Sequence, residues 1–232
     1  MHAKLTLALA SVLLFTNILS VTAQTGETLQ VQPFDKVEVS GKFEIEFRQC
    51  DRESVTLISG KTDPEKIVTE VRGRTLDLRI KRDLPFANDD PPIRAVVCYK
   101  SLRHVEASNN AELTFREAIA GDYLFLKARS GGSLSLKADV TTLEVTATQG
   151  GTLELQGKSR LFEAKANTGG LVKAFGLHAS DCLVTANTGG KVQVTASNKL
   201  EAKAGTGGEI EYAGNPGSVA ITESLGGEVN KR

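Results

Sequence analysis

The stretch Leu143-Glu144-Val145-Thr146-Ala147-Thr148-Gln149-Gly150-Gly151-Thr152-Leu153-Glu154-Leu155 reads as two short strands meeting at a corner. On both sides of the glycines apolar and polar residues alternate, the period-two pattern of a strand with one buried face. The unit recurs. Gly-Gly pairs stand at Gly131-Gly132, Gly150-Gly151, Gly169-Gly170, Gly189-Gly190, Gly207-Gly208 and Gly226-Gly227, a step of about 19 residues. Ahead of successive pairs lie Leu124, Leu126 and Ala128; Leu143, Val145 and Ala147; Phe162, Ala164 and Ala166; Cys182, Val184 and Ala186; Leu200, Ala202 and Ala204. Behind them lie Leu134 and Leu136; Leu153 and Leu155; Val172 and Ala174; Val192 and Val194; Ile210 and Tyr212.

One such unit cannot bury its apolar side alone. Stacked units can, because each strand then hydrogen-bonds its equivalents above and below at about 4.8 Å and the apolar columns fill the interior. The sequence therefore predicts an all-β fold, a single-stranded parallel β-helix whose coils of about 19 residues turn at Gly-Gly corners. A right-handed wind is expected from the chirality of parallel crossovers. Both glycines of each pair are assigned to positive φ at a sharp corner. Asn109-Asn110 is given the corresponding place in an earlier coil, since Asn tolerates that conformation next best. The Ala before each pair marks a corner with room for a methyl only.

Outside the repeat, Lys4 precedes an apolar run from Leu5 to Leu19, and Val21 and Ala23 sit at the −3 and −1 positions of a cleavage site. Residues 1–23 are read as a signal peptide. The run is shorter than the ~20 residues of a spanning helix, and no Cys follows the cut to carry a lipid anchor. Residues 24–232 are expected to form one exported, soluble domain, less regular over 27–100 and built of Gly-Gly coils over 101–232. No transmembrane segment is expected.

Lys and Arg number 28, Asp and Glu 28, so the formal charge is zero and nothing recommends nucleic acid as a partner. Trp is absent, which weakly disfavours a sugar-gripping cleft. Export permits a disulfide, and Cys50 and Cys98, near the ends of predicted strands, are the candidates for it. Cys182 lies at an inward position, where a buried free thiol is expected.

Catalytic candidates are few. His178, Asp181 and Cys182 are close in sequence, but Cys182 should point inward and Asp181 outward, so no nucleophile pair is expected. Metal-binding spacings are missing, and no cofactor is implied. One outward column reads Lys127, Thr146, Lys165, Thr185, Lys203, and the next reads Phe125, Glu144, Glu163, Leu183, Glu201. Glu144 and Glu163, on neighbouring coils, are the nearest approach to a glycosidase acid–base pair. Their setting is expected to be fully exposed. No catalytic, cofactor or metal residue is assigned.

In the first half, Asp63-Pro64-Glu65-Lys66 is read as a helical turn before Ile67, and 83–92 as a loop. Phe34-Asp35-Lys36-Val37-Glu38-Val39-Ser40-Gly41, with Phe43-Glu44-Ile45-Glu46-Phe47-Arg48-Gln49 after it, resembles the opening of the head GIN domain family. Val71-Arg72-Gly73-Arg74-Thr75-Leu76-Asp77-Leu78 and the closing Tyr212-Ala213-Gly214-Asn215-Pro216 match further hallmarks. The chain departs from the usual pattern at Cys50, where Gly is the rule, and at three corners where Thr-Gly-Gly replaces Ser-Gly-Ala-Ser. The resemblance implies a β-helical protein of the Gram-negative envelope, described as an auto-transporter adhesin, acting in the periplasm, at the cell surface or outside the cell. The expected role is non-catalytic binding or adhesion to an envelope ligand, a glycan or a protein. The competing role is binding or degradation of polysaccharide by a pectin lyase-like β-helix. The last coil has little behind it, so a homodimer through that end is a further expectation.

Overall fold

Every inward position assigned from the glycine beat, Leu124 through Tyr212, is buried, none more than 8% exposed. The computed structural model describes residues 26–58, 66–81 and 91–232. The expected leader at 1–23, residues 63–65 of the expected helical turn and residues 83–90 of the expected loop lie outside that set.

Five long strands carry the solenoid: β10 (Ile119–Arg129), β11 (Ser133–Thr148), β12 (Thr152–Asn167), β13 (Leu171–Asn187) and β14 (Lys191–Gly205). Each pairs in parallel with the next, and each of β11 to β14 bends through more than one side of its coil. β15 (Glu209–Ala213) and β16 (Ser218–Ser224) pair with the two halves of β14, and β17 (Glu228–Lys231) pairs with β15. The whole is a parallel β-solenoid of about 7 turns with coils of roughly 19 residues. Register is direct, so like stacks on like. One inward column runs Leu124, Leu143, Phe162, Cys182, Leu200, Val219, and a second runs Ala128, Ala147, Ala166, Ala186, Ala204, Glu223. Ladder slips are confined to Glu154/Gln156, Ala174/His178 and Ala179/Asp181.

The first half does not continue this wind in order. β2 (Lys36–Ser40) and β3 (Phe43–Gln49) stack in parallel on β8 (His104–Ser108) and β9 (Glu112–Phe115). The strands β6 (Thr75–Ile80) and β7 (Ile93–Tyr99), later than β3 in the chain, lie on the opposite side of the same coil. The layer of β6 and β7 is therefore laid down after the coil it covers. The strands beyond it pair antiparallel. β5 (Ile67–Arg72) folds back on β6, β4 (Ser54–Ile58) runs against β7, and β1 (Glu27–Gln30) runs against β4. No helix follows Lys66; Ile67 opens a strand instead, because Val68, Thr69 and Val71 are β-branched and pair with β6.

Side chains follow the change in layout. Where the coils are regular the core is mostly Leu, Val and Ala, with the single Phe162 in a column otherwise of aliphatic residues and Cys182. Under the cap it is aromatic: Phe47 stacks on Phe115 with ring centroids 4.6 Å apart, and Tyr99 meets Phe115 edge-on at 6.2 Å. A disulfide joins Cys50 to Cys98, with Cα atoms 5.4 Å apart, and ties the end of β3 to β7. Cys50 N–H donates to the Tyr99 carbonyl at 2.9 Å, so covalent and backbone links meet at one place.

Candidate functional site

Two features could carry function, the corner column and the outward sheet faces. The corner is a four-residue turn. In Thr148-Gln149-Gly150-Gly151, Gln149 and Gly150 have φ of 51° and 73°, and Gly151 N–H donates to the Thr148 carbonyl at 3.0 Å. Positive φ at both central residues is the type I′ arrangement. The same pattern holds for Ser130-Gly131-Gly132, Thr168-Gly169-Gly170, Thr188-Gly189-Gly190, Thr206-Gly207-Gly208 and Leu225-Gly226-Gly227.

This corrects the assignment of positive φ to both glycines. The left-handed residues are the one before the pair and its first glycine. The second glycine is required for space: a Cβ on Gly151 would lie 2.8 Å from Arg129 N and closer still to the Ala128 carbonyl in the coil beside it. Asn109 and Asn110 align accordingly one place earlier, both with positive φ, and Ala111 takes the place of the second glycine.

Could the glycine stripe receive a ligand? Its donors are committed. The first glycine's N–H reaches the next coil, as in Gly150 to Thr168 O at 3.3 Å and Gly169 to Thr188 O at 3.2 Å. The second glycine's N–H closes its own turn, and its carbonyl accepts from the following coil, as in Leu171 N–H to Gly151 O at 2.9 Å. The stripe is a self-satisfied turn stack.

On the sheet face that ends at these corners, the two outward columns run as expected. His104, Phe125, Glu144, Glu163, Leu183 and Glu201 stand in register, as do Glu106, Lys127, Thr146, Lys165, Thr185 and Lys203. A third column alongside holds Tyr123, Thr142, Leu161, Asp181 and Lys199. Glu144 and Glu163 are half-buried rather than fully exposed, since Tyr123, Phe125, Leu161 and Leu183 surround them. Tyr123 is 41% exposed, and burial together with both carboxylates pushes its phenol above the ordinary value. Phe125 is backed by the His104 ring, with centroids 4.9 Å apart.

Other candidates do not converge. Cys182 is fully buried, its thiol pushed up to about 12 by burial and by the neighbouring Asp181 charge. His178 faces solvent, and Asp181 accepts a hydrogen bond from Asn198 Nδ2 at 2.7 Å. Among the described residues no group of three or more His, Cys, Asp or Glu could hold a metal ion, and no helix is long and apolar enough to cross a membrane. Two open hollows, of about 510 and 420 Å³, lie on the outer surface. Glu44 and Arg94, 3.0 Å apart, lie along the first, and Asp139 and Lys158, 3.2 Å apart, along the second.

Sequence reasoning missed the buried acids Asp35 and Glu53, and the first has two cationic partners. Asp35, 4% exposed, accepts hydrogen bonds on Oδ2 from Arg103 Nη2 at 2.6 Å and Arg74 Nη2 at 3.2 Å. Its carbonyl accepts from Arg103 N–H, and its own N–H donates to the Arg74 carbonyl. Burial alone would raise its pKa; the two guanidinium groups outweigh it and hold the carboxyl below the usual range. Asp35 thus clamps the start of β2 to the β5–β6 turn and to the segment entering β8. Nothing in the local sequence marks it, because both partners lie far along the chain.

Comparison with known proteins gives a consistent picture. The family described as "Putative auto-transporter adhesin, head GIN domain" matches residues 33–216. No curated protein matches the sequence. A solved "putative adhesin" of Bacteroides fragilis superposes with a TM-score of 0.81 at 16% identity, covering 89% of this chain and 95% of that one. A "putative adhesin" of Parabacteroides distasonis gives 0.62 at 22% identity, with 90% and 96% covered. A "putative lipid binding protein" of the same species gives 0.59 at 20% identity, with 89% and 95% covered. At these identities the likeness is one of fold.

Proposed function

The chain belongs to the head GIN domain family of "putative auto-transporter adhesins", and from that footing we propose that it is an exported, non-catalytic envelope protein that works by presenting a solenoid face to a binding partner. The observation that carries this reading is the outward sheet face itself. Side chains on successive coils stand in direct register from Tyr123 and Phe125 to Lys199 and Glu201, and a rigid ladder repeating at about 4.8 Å suits an extended ligand. Lys4, the apolar run to Leu19 and the small residues Val21 and Ala23 support export. The Cys50–Cys98 disulfide supports an oxidising compartment. Cys182 is buried while His178 faces solvent, so the Cys and His that lie close in sequence do not come together, which supports binding over turnover.

The test is binding and product formation measured together on a glycan panel and on envelope fractions, using protein freed of residues 1–23. Selective retention without products is the expected result. Product formation would overturn the reading and direct attention to Glu144 and Glu163 as a polysaccharide-cleaving pair.

A further inference from the structure

Acidic residues meet in register at six places on this solenoid. The pairs are Glu38–Asp77, Glu38–Glu106, Glu44–Glu112, Glu70–Asp77, Glu209–Glu228 and Glu144–Glu163. Like charges directly opposite one another destabilise a sheet, and five of the pairs are relieved by a cation. Arg79 Nε is 2.9 Å from Asp77, Arg129 Nε lies against Glu106, Arg94 Nε is 3.0 Å from Glu44, Arg72 Nη2 is 2.8 Å from Glu70, and Lys191 Nζ is 2.8 Å from Glu209. The sixth has none. Glu144 and Glu163 make no ion pair among the described residues. The lysines of the adjacent column do not reach them: Lys127 is held by Glu106 at 3.3 Å, and Lys165 stays beyond ion-pair distance.

What surrounds the unrelieved pair is apolar and aromatic. Tyr123 and Phe125 lie on the coil before Glu144, Leu161 on the coil of Glu163, and Leu183 on the coil after. Tyr123 is the one exposed aromatic among the large exposed hydrophobics of the described residues. Two carboxylates lacking a counter-charge, flanked by aromatic rings and leucines, complement a planar cation on an aliphatic stem. Guanidinium fits each part: it binds carboxylates in a fork and stacks on rings, while its methylenes can rest on the leucines. Lysine would supply charge with neither the fork nor the stack.

We propose that the Tyr123–Phe125–Glu144–Glu163 patch is a docking site for an arginine side chain of a partner polypeptide. The proposal rests on the reading of this protein as a surface binder and names the chemistry of its partner.

The chain reports on this patch by itself. It has 3 Tyr and no Trp, and Tyr99 and Tyr212 are buried while Tyr123 is exposed. Tyrosine fluorescence of the purified protein is titrated with a hexa-arginine peptide, with hexa-lysine and a neutral β-glucan oligosaccharide in parallel. Hexa-arginine should give a saturable, salt-sensitive change and bind more tightly than hexa-lysine. The double variant Glu144→Gln, Glu163→Gln should bind about tenfold more weakly with an unchanged or higher melting temperature, because repulsion is removed. Glu154→Gln, an exposed acid on another side of the coil, should change neither. Equal affinity in the double variant, no saturable change with the unaltered protein, or a response to the oligosaccharide alone would each overturn the proposal. A lower melting temperature in the double variant would also overturn it, since the pair would then be holding the sheet together. If envelope material binds the double variant as well as the unaltered protein, the site falls and the surface-binding reading stands. If neither protein binds envelope material and products form, that reading falls as well.

Discussion

Alanine at the two members of one corner pair should have unequal effects, for different physical reasons. Gly150 has φ of +73° and nothing within 4 Å of where a Cβ would stand. Alanine there meets only the left-handed backbone penalty, about 1–2 kcal/mol, partly offset by about 0.4–1 kcal/mol through the stiffer unfolded chain. The net loss is roughly 1 kcal/mol. Gly151 has no such φ, but its Cβ would press on the Ala128–Arg129 peptide of the adjacent coil. That obstacle is backbone held in its own ladder and cannot swing aside as a side chain would. Overpacking against it should cost about 3 kcal/mol or more. At about 2–4 °C per kcal/mol for a domain of this size, Gly150→Ala should lower Tm by roughly 2–4 °C and Gly151→Ala by roughly 6–12 °C. Thermal unfolding by far-ultraviolet circular dichroism reads both, and Gly150→Asn should recover most of the smaller loss because Asn tolerates that backbone. Equal losses, or a larger one at Gly150, would refute the division of labour within the pair. Gly169 and Gly170 repeat the geometry and give an independent second test.

Leu155, 1% exposed, fills an inward column, and Leu155→Ala should cost about 2–5 kcal/mol, read as a lower urea midpoint. Leu225 holds φ of 48° while 81% exposed; Leu225→Asn should gain about 0.5–1 kcal/mol, and an unchanged Tm would remove the strain assigned to that corner. The buried Cys182 thiol, at about 12, should resist iodoacetamide at pH 8 in native protein and react once urea unfolds it. For Asp35 the folded pKa lies below the ordinary 3.8, so its contribution is present at neutral pH and is lost as pH falls through the folded value. Asp35→Asn should therefore be less stable than the parent at pH 7, with the gap narrowing below pH 3.8; a gap independent of pH would mean that the carboxylate charge is not what clamps β2.

The regular coils were legible because each inward residue is repeated five or six times. One doubtful position is corrected by its equivalents: Cys182 reads as core because Leu143, Phe162 and Leu200 share its column. The first half offers no such redundancy. Val37, Val39, Phe43 and Ile45 announce strands, yet nothing local says that β6 and β7 will stack on the far side of β2 and β3, or that β4 and β5 will run antiparallel. Those pairings depend on contacts distant in sequence, as does the Asp35 clamp. The corner shows a finer limit. Glycine is needed at Gly150 for its dihedral and at Gly151 for its lack of a Cβ, and the letter is the same in both cases. The outward columns were also legible in register, but the lack of a cation near Glu144 and Glu163 required side-chain positions.

At the last coil the inward columns change character. Glu223 follows Ala204, and Lys231 follows Tyr212. Glu223 turns its carboxylate to the Val229 N–H at 2.7 Å, and Lys231 reaches Asn215 Oδ1 at 3.4 Å. Another coil stacked there would have to enclose both charges, although Val219 and Ile221 beside them keep two inward columns apolar and exposed. A coil duplicated from the middle encloses no such charge, because it meets its own columns above and below. Reach is then a heritable quantity that changes in steps. Each tandem duplication of about 19 codons would lengthen the rod by about 4.8 Å and repeat the ladder of outward side chains, while the cap, the clamp at Asp35 and the last coil stay as they are.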